Sequence, residues 1–338
     1  MAKAISLLSG GLDSLLATIV VTQQGIDVTA VTFMTHFGCT MADTSSCSKD
    51  ASSMEHKFGF TIKMCHLSDK FYEIVKNPRF GHGKNMNPCL DCRILMVKEA
   101  KDLMYAIGAD FIVTGEVLGQ RPMSQRRDTF PVIDRETDLK GLVLRPLSAK
   151  LLKPTIPEIK GLVDREKLYG FSGRSRKPQI ALAQELGLTE YPNASGGCLL
   201  TDPIYSHRLR DLLTSQNSPD MTDINLLRPG RHFRVSPDCK IIIGRNQGDN
   251  EKIMAYAGNS DYLLRVSHYS GPVALIKGMN PDQYLTIAAS LCARYSQARS
   301  HRSVSVDVYQ GKVEQEYLVS TLEIKPAHED EYDSIMVK

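Results

Sequence analysis

Apolar residues in the first third of the chain form short runs closed by glycine or polar residues and separated by stretches with helical spacing. Residues 4–8 read as a buried strand, Ser9-Gly10-Gly11 as a turn, and residues 12–24 as a helix. Further strands are expected over 28–34 and 61–67, then a helix over 93–107 and a short buried strand over 111–115 that ends in glycine. Strands alternating with helices predict a parallel sheet covered on both faces. Ligands of such sheets sit at the carboxyl ends of the strands, so the loops after Leu8, Met34 and Thr114 should meet at one site.

After Arg145-Pro146-Leu147 the pattern changes. Helices are expected over 157–168 and 177–186, joined by a basic Gly/Ser loop at 170–177, with Ser195-Gly196-Gly197-Cys198 in a following loop. This reads as a small helical annex. A Ser/Asn/Asp/Pro-rich stretch at 215–223 has the composition of a linker. Beyond it, strands over 233–235, 240–244, 262–266, 273–276 and 304–308 surround one helix at 281–295, an α+β pattern. The expected domains are 1–168, 169–222 and 223–338.

Composition agrees with an ordinary folded protein. The 338 residues are 42% hydrophobic and 23% charged, enough for one large domain or two to three smaller ones. No run approaches the roughly 20 apolar residues of a membrane span. The start runs directly into a strand without signal-peptide architecture, so a soluble, cytoplasmic protein without membrane partners is expected. The formal charge of +3 hides an asymmetry: residues 228–302 hold eleven Lys/Arg against five Asp/Glu, and residues 303–338 hold three against eight. A basic region followed by an acidic tail implies an anionic partner, with nucleic acid a candidate.

The sharpest chemical signal is Ser9-Gly10-Gly11-Leu12-Asp13-Ser14, directly after a strand and before a helix. Its glycines let backbone approach a phosphate, and the helix start offers free N–H groups to an anion. A Walker loop would end in Gly-Lys-Ser/Thr, which is absent. The hexapeptide instead resembles the PP-loop of N-type ATP pyrophosphatases. That resemblance implies cleavage of ATP between the α and β phosphates and adenylation of a carbonyl oxygen. Thr114-Gly115-Glu116-Val117-Leu118-Gly119-Gln120, Ser124-Gln125 and Leu144-Arg145-Pro146-Leu147 resemble tRNA 4-thiouridine synthetases. Asn87-Pro88-Cys89-Leu90-Asp91-Cys92 and Ser195-Gly196-Gly197-Cys198 look more like the cysteine loops of tRNA 2-thiouridylases. The chain is thus similar to tRNA thiolation enzymes over about residues 4–205.

The resemblance implies that Ser9, Gly10, Gly11, Asp13 and Ser14 hold the ATP phosphates, that Met34 borders the adenine and that Gly115 lines the same pocket. A core role for Met34 and a helix-capping role for Asp13 are the alternatives. Asp13 is also the candidate carboxylate for Mg²⁺, which binds through phosphates and one or two carboxylates. Adenylation suits thiolation because a uridine carbonyl oxygen leaves poorly, whereas AMP on that oxygen is readily expelled by sulfur. The sulfur donor would be sulfide or a cysteine desulfurase relay.

The eight cysteines are too sparse for a disulfide scaffold. Cys89-x-x-Cys92 serves zinc, redox thiols and Fe–S clusters alike, and no second C-x-x-C is present. By resemblance Cys198 approaches the same cleft. Cys89, Cys92 and Cys198 would then leave one iron of a 4Fe-4S cluster open, where related thiolases bind sulfide. The competing mechanism makes Cys198 a persulfide carrier with Cys89 or Cys92 as disulfide partner. The presence of both favours the cluster. Cys39 and Cys47, with His36 nearby, are expected to be loop thiols, a zinc or relay role being the alternative; Cys65, Cys239 and Cys292 are expected to be buried small hydrophobes.

The third region resembles the RNA-binding domain of NFACT proteins over about residues 228–312, carried by Lys240-Ile241-Ile242-Ile243-Gly244-Arg245-Asn246, Tyr262-Leu263-Leu264-Arg265-Val266 and Ala293-Arg294-Tyr295-Ser296. Arg231, Arg234 and Arg245 are the chosen phosphate contacts, with Arg228, Arg294, Arg299 and Arg302 in reserve and Tyr262, His268 and Tyr269 available to stack. A solvated basic face is the alternative. The 4-thiouridine synthetases carry an N-terminal RNA-binding extension; here the glycine loop begins at residue 9, so this module is expected to replace it. The resemblances together imply an α/β fold: a parallel-sheet PP-loop (adenine nucleotide alpha hydrolase-like) domain, a small helical annex and a C-terminal α+β RNA-binding module. A tRNA sulfurtransferase accounts for the loop, the cysteines and the basic module; a small-molecule PP-loop ligase or an RNA-binding scaffold with a dead ATPase each accounts for only part.

Overall fold

The computed structural model describes residues 1–37, 55, 57–188, 198–216, 219–312, 316–328 and 330–338. It divides into two compact units, Met1–Thr201 and Asp202–Lys338, each with its own sheet. Among the described residues no helix is long and apolar enough to cross a membrane.

The first unit runs β1 (Lys3–Leu7), α1 (Leu12–Thr22), β2 (Asp27–Met34), β3 (Thr61–His66), α2 (Ser68–Lys76), α3 (Cys89–Ile107), β4 (Phe111–Thr114), α4 (Thr129–Glu136), β5 (Val143–Leu144) and α5 (Lys177–Glu185). The strand order is β3-β2-β1-β4-β5 and every pairing is parallel. Alternation along β1 explains why both faces are covered. Ala4 packs with Leu12, Leu16 and Ile19 of α1, while Ile5 and Leu7 pack with Val97, Ala100 and Met104 of α3. Each large apolar side chain buried in this way contributes about 1.5–3 kcal/mol.

Two expected boundaries move. α3 begins at Cys89, not 93, so both cysteines of the C-x-x-C lie in its first turn, behind Pro88 at the N-cap. No helix fills 157–168: Ile156–Ile159 makes a single turn, opened by a Thr155/Glu158 capping box and followed by Gly161 at φ 66°.

The second unit runs α6 (Pro203–Ser215), α7 (Met221–Leu226), β6 (Arg231–Ser236), β7 (Cys239–Ile243), α8 (Gln247–Ala255), β8 (Tyr262–Val266), β9 (Val273–Gly278), α9 (Leu285–Arg294), β10 (Val304–Gln310) and β11 (Tyr317–Ile324). Its sheet is antiparallel in the order β11-β10-β8-β9-β7-β6. α9 buries Ala288, Ala289, Leu291, Cys292 and Ala293 against the sheet. Cys239 and Cys292 are fully buried there as expected, and burial pushes the Cys292 thiol up to about 12.

The linker composition at 215–223 has another cause. Asp220 and Asp223 form the capping box of α7, so the acidic residues start a helix. Upstream, α6 is held within this unit: the buried Arg208 donates to Leu227 O and Gly230 O, both at 2.9 Å. The division between units accordingly falls at Thr201/Asp202. The first part of the acidic tail is likewise in the sheet. β11 pairs with β10, Glu316 takes both guanidinium nitrogens of Arg265 at 2.7 and 2.9 Å, and Asp307 accepts from Thr321.

His232 is fully buried on β6, its Nε2 donating to Pro229 O at 2.8 Å. Burial first, then Lys240 and Arg208, hold its pKa well below 6.5. The unfolded chain therefore takes up a proton near pH 6.5 that the folded unit refuses. This contribution to stability is complete above that pH and is lost as pH falls below it, at up to about 1.4 kcal/mol per pH unit. Denaturant titrations at pH 5.0 to 7.5 should show a steeper acid-side loss in the native protein than in His232→Gln; superimposable profiles would show that His232 is not buried as a neutral ring.

Candidate functional site

The turn after β1 is built for close backbone approach. Gly10 takes φ 74°, and Gly11 caps α1 in extended geometry with no side chain bonded to the helix start. Ser14 fixes the turn from within: its Oγ donates to Gly11 O at 2.8 Å and accepts from Ser9 N at 3.1 Å. Below it, Thr18 donates to Ser14 O at 2.8 Å and meets Ser6 at 2.7 Å, tying helix to strand. The result is a braced loop whose first helical N–H groups have no side-chain cap, the arrangement that binds phosphate.

The loop after β4 packs directly on this turn. A Cβ at Gly115 would lie 2.4 Å from both Ser14 Cα and Ser14 N, so only glycine fits. Five residues on, Gln120 Nε2 donates to Asp13 Oδ2 at 2.8 Å, and Gln179 of α5, fully buried, donates to Gln120 Oε1 at 3.2 Å. Asp13 Oδ1 is buried with no hydrogen-bond partner among the described residues, and so is Gln125 Oε1. An unmatched carboxylate oxygen beside an uncapped helix start suits a divalent cation.

Beneath the loop lies a buried ionic network. Glu116 accepts from Thr114 Oγ1 and from Arg145 Nε, both at 3.0 Å, and faces Arg93 at 3.2 Å; Arg145 also reaches Asp134 at 2.9 Å and lies 4.1 Å over the Phe130 ring. Burial lowers the Arg145 pKa, but Glu116 and Asp134 outweigh it and the guanidinium is held above its ordinary value.

The cysteines gather nearby. Cys92 is pushed up to about 12 by burial first; Arg93 opposes this, and the neighbouring Cys198 and Cys89 thiols add smaller upward effects. Cys89 is raised by burial, against Arg121, Arg93 and Asn87. Cys198 Sγ reaches Phe37 O at 3.8 Å. The Cys198 segment is fastened to the Cys89 side by Met86 N donating to Leu200 O at 3.1 Å and Asn85 Nδ2 to Thr201 O at 2.7 Å. No group of three His, Cys, Asp or Glu among the described residues is arranged to hold a metal ion.

Thus Ser9, Gly10, Gly11, Asp13, Ser14 and Gly115 come together, and Cys89, Cys92 and Cys198 form a second group. Met34 ends β2, half-buried, paired with His66. Cys39, Cys47 and residues 195–197 lie outside the described residues, while Cys65 is half-buried beside the core. In the second unit Arg231 and Arg245 line one groove, but Arg234 does not. Arg234 is instead clamped to Asp211 at 3.0 and 2.7 Å, beside Lys240. Sequence reading missed the roles of Gln120, Arg121, Glu116 and Arg93, although the first three sit in or beside the quoted Thr114–Gln125 motif; nothing local singles out Gln179.

Residues 1–159 match the family described as "Thiamine biosynthesis protein (ThiI)", and residues 230–336 match "NFACT protein RNA binding domain". The tRNA-specific 2-thiouridylase MnmA of Pseudomonas fluorescens (strain SBW25) is 23% identical over 301 residues, 85% of this chain and 74% of that protein. A probable tRNA sulfurtransferase of Thermococcus kodakarensis is 28% identical over 154 residues, 43% of this chain and 36% of its own. Among solved structures, a 4-thiouridine synthetase–RNA complex with bound ATP aligns with 55% of this chain and 52% of its own, at 20% identity and a TM-score of 0.34.

Gly115→Ala tests the packing of this loop. Its methyl group would overlap Ser14 backbone, which cannot yield as a side-chain end can. A loss of about 3 kcal/mol or more is expected, together with loss of ATP binding in any folded fraction. Native-like thermal unfolding and nucleotide affinity would show that the two loops are not in contact.

Proposed function

We propose, for a chain whose first unit is similar to ThiI and whose second is similar to the NFACT RNA-binding domain, that the protein is an ATP-dependent tRNA sulfurtransferase. One observation carries this reading: a single loop serves both groups of residues, Gln120 holding Asp13 and Arg121 acting on the Cys89 thiol. A nucleotide at the glycine turn and a sulfur carrier at the cysteines would then work on the same bound uridine. The uridine carbonyl oxygen attacks the α-phosphorus, pyrophosphate leaves, and sulfur subsequently replaces AMP at the carbon. The α1 N–H groups and Asp13 with Mg²⁺ would hold the charge that develops on the departing pyrophosphate.

Cys89, Cys92 and Cys198 are the sulfur-handling residues in this reading. Their number and softness suit a 4Fe-4S cluster, which when bound would supply a sulfide-carrying iron. Their arrangement does not present a metal site among the described residues, so no step is assigned to a cluster. The hydrogen bonds that hold the Cys198 segment beside the Cys89 side support a second reading, a persulfide on Cys198 resolved by Cys89 or Cys92.

Asp13→Ala should fold normally yet lower tRNA-dependent pyrophosphate release at least about a hundredfold. AMP and pyrophosphate are the expected products; ADP and phosphate would overturn the assignment. The cysteines are separated by single Ser replacements followed by iron analysis, the absorbance near 400 nm and a thiolation assay. Near-equal loss of iron and activity at all three positions supports the cluster. Full activity without iron, or in Cys89→Ser, leaves the persulfide route.

A further inference from the structure

The second unit contains a groove of about 700 Å³ whose lining includes Arg231, Arg245, Arg294 and Arg299 and, among the described residues, no Asp or Glu. The volume is that of a site for one nucleotide-sized group or a short piece of backbone. The four guanidiniums are not equivalent. Arg245 is held by Asp249 at 2.6 Å, and Arg294 donates to His328 O. Arg231 and Arg299 have no carboxylate partner among the described residues, leaving their charge available to a ligand. Tyr295 organises the floor: Arg231 lies 4.4 Å and Arg294 5.2 Å from its ring centre.

This geometry says what the groove takes. Tyr295 is the one aromatic residue among the described lining residues, and two guanidiniums already lie within 5.2 Å of its ring centre, where they compete with any base for the ring. The guanidinium forks match phosphate oxygens in a bidentate manner. Gly244 and Gly271 let the lining segments pack closely: a Cβ at Gly244 would fall on Asn250 Oδ1, and one at Gly271 would come within 2.8 Å of Ser296 Cβ.

We infer that this groove clamps two neighbouring phosphates of an RNA backbone, without reading bases, and that Arg231 and Arg299 are its principal contacts. The inference rests on the RNA-binding reading of this unit and replaces Arg234, which Asp211 occupies, with Arg299.

The test uses the full chain, fluorescence anisotropy and a salt series, with a tRNA transcript and 12-residue oligouridylate and oligoadenylate as probes. Arg231→Ala/Arg299→Ala should bind all three more weakly by similar factors and reduce the log–log salt slope for tRNA by about two, one for each lost phosphate contact. Arg231→Lys/Arg299→Lys, which keeps the charge, should restore most of the slope. Arg210→Ala, an exposed arginine outside the groove, should leave it unchanged. A wild-type slope in the double Ala variant, or weakening confined to one oligonucleotide, would overturn the clamp while the RNA-binding reading stands. Failure of the native protein to bind any probe would remove the RNA-binding reading itself. Binding of polyglutamate that depends on Arg231 and is not displaced by RNA would make this a protein-docking groove and overturn the inference.

Discussion

The missing side chain at Gly115 is the constraint on which the first unit's site depends. Because β4 is parallel to β1 and directly beside it, the chain leaving β4 must pass over the start of α1, and any Cβ at that point would collide with Ser14 backbone. Contact without a side chain brings the next residues into reach of the glycine turn. Glu116 is thereby turned down into the buried cluster with Arg145, and Gln120 is brought over Asp13. The ionic cluster is costly to assemble in a dry interior, and breaking one partner would leave uncompensated charge. It therefore acts less as a source of stability than as a fixed base beneath a loop that must hold its shape.

The two units solve different electrostatic problems. In the first, cations are matched closely: Arg145 lies between Glu116 and Asp134, and Arg93 faces Glu116, so little net field remains in the wall of the site. Burial raises the Cys89 and Cys92 thiols next to this wall, Cys92 up to about 12. In the second unit the carboxylates are directed away from the groove. Asp211 takes Arg234 and Lys240, and Glu316 takes Arg265, and among the described residues Arg231 and Arg299 have no carboxylate partner.

How much of this was legible depends on the distance over which each feature is encoded. The β1–turn–α1 segment reads directly because apolar run, glycine pair and helical spacing follow one another within 22 residues. Asp13 itself was legible, but its surroundings were not: Gln120 is 107 positions away, and Gln179 a further 59. Composition misled where polar residues serve local geometry. Asp220 and Asp223 resemble linker residues until seen capping α7, and the acids beyond residue 303 resemble a solvated tail until β11 pairs with β10. Arg234 failed for a related reason, since a basic residue on a strand says nothing about whether its neighbour in space is a phosphate or Asp211.

The fastening between residues 85–86 and 200–201 has a kinetic consequence. Asn85 and Thr201 are 116 positions apart, so an unconstrained chain would bring the flanking thiols together only rarely. Two hydrogen bonds, from Met86 N to Leu200 O and from Asn85 to Thr201 O, hold the segments side by side. If Cys198 carries a persulfide, attack of the Cys89 or Cys92 thiol on the Cys198 sulfur, forming the disulfide as the outer sulfur leaves with the uridine, would then be an intramolecular reaction at high effective concentration, set by a few backbone contacts.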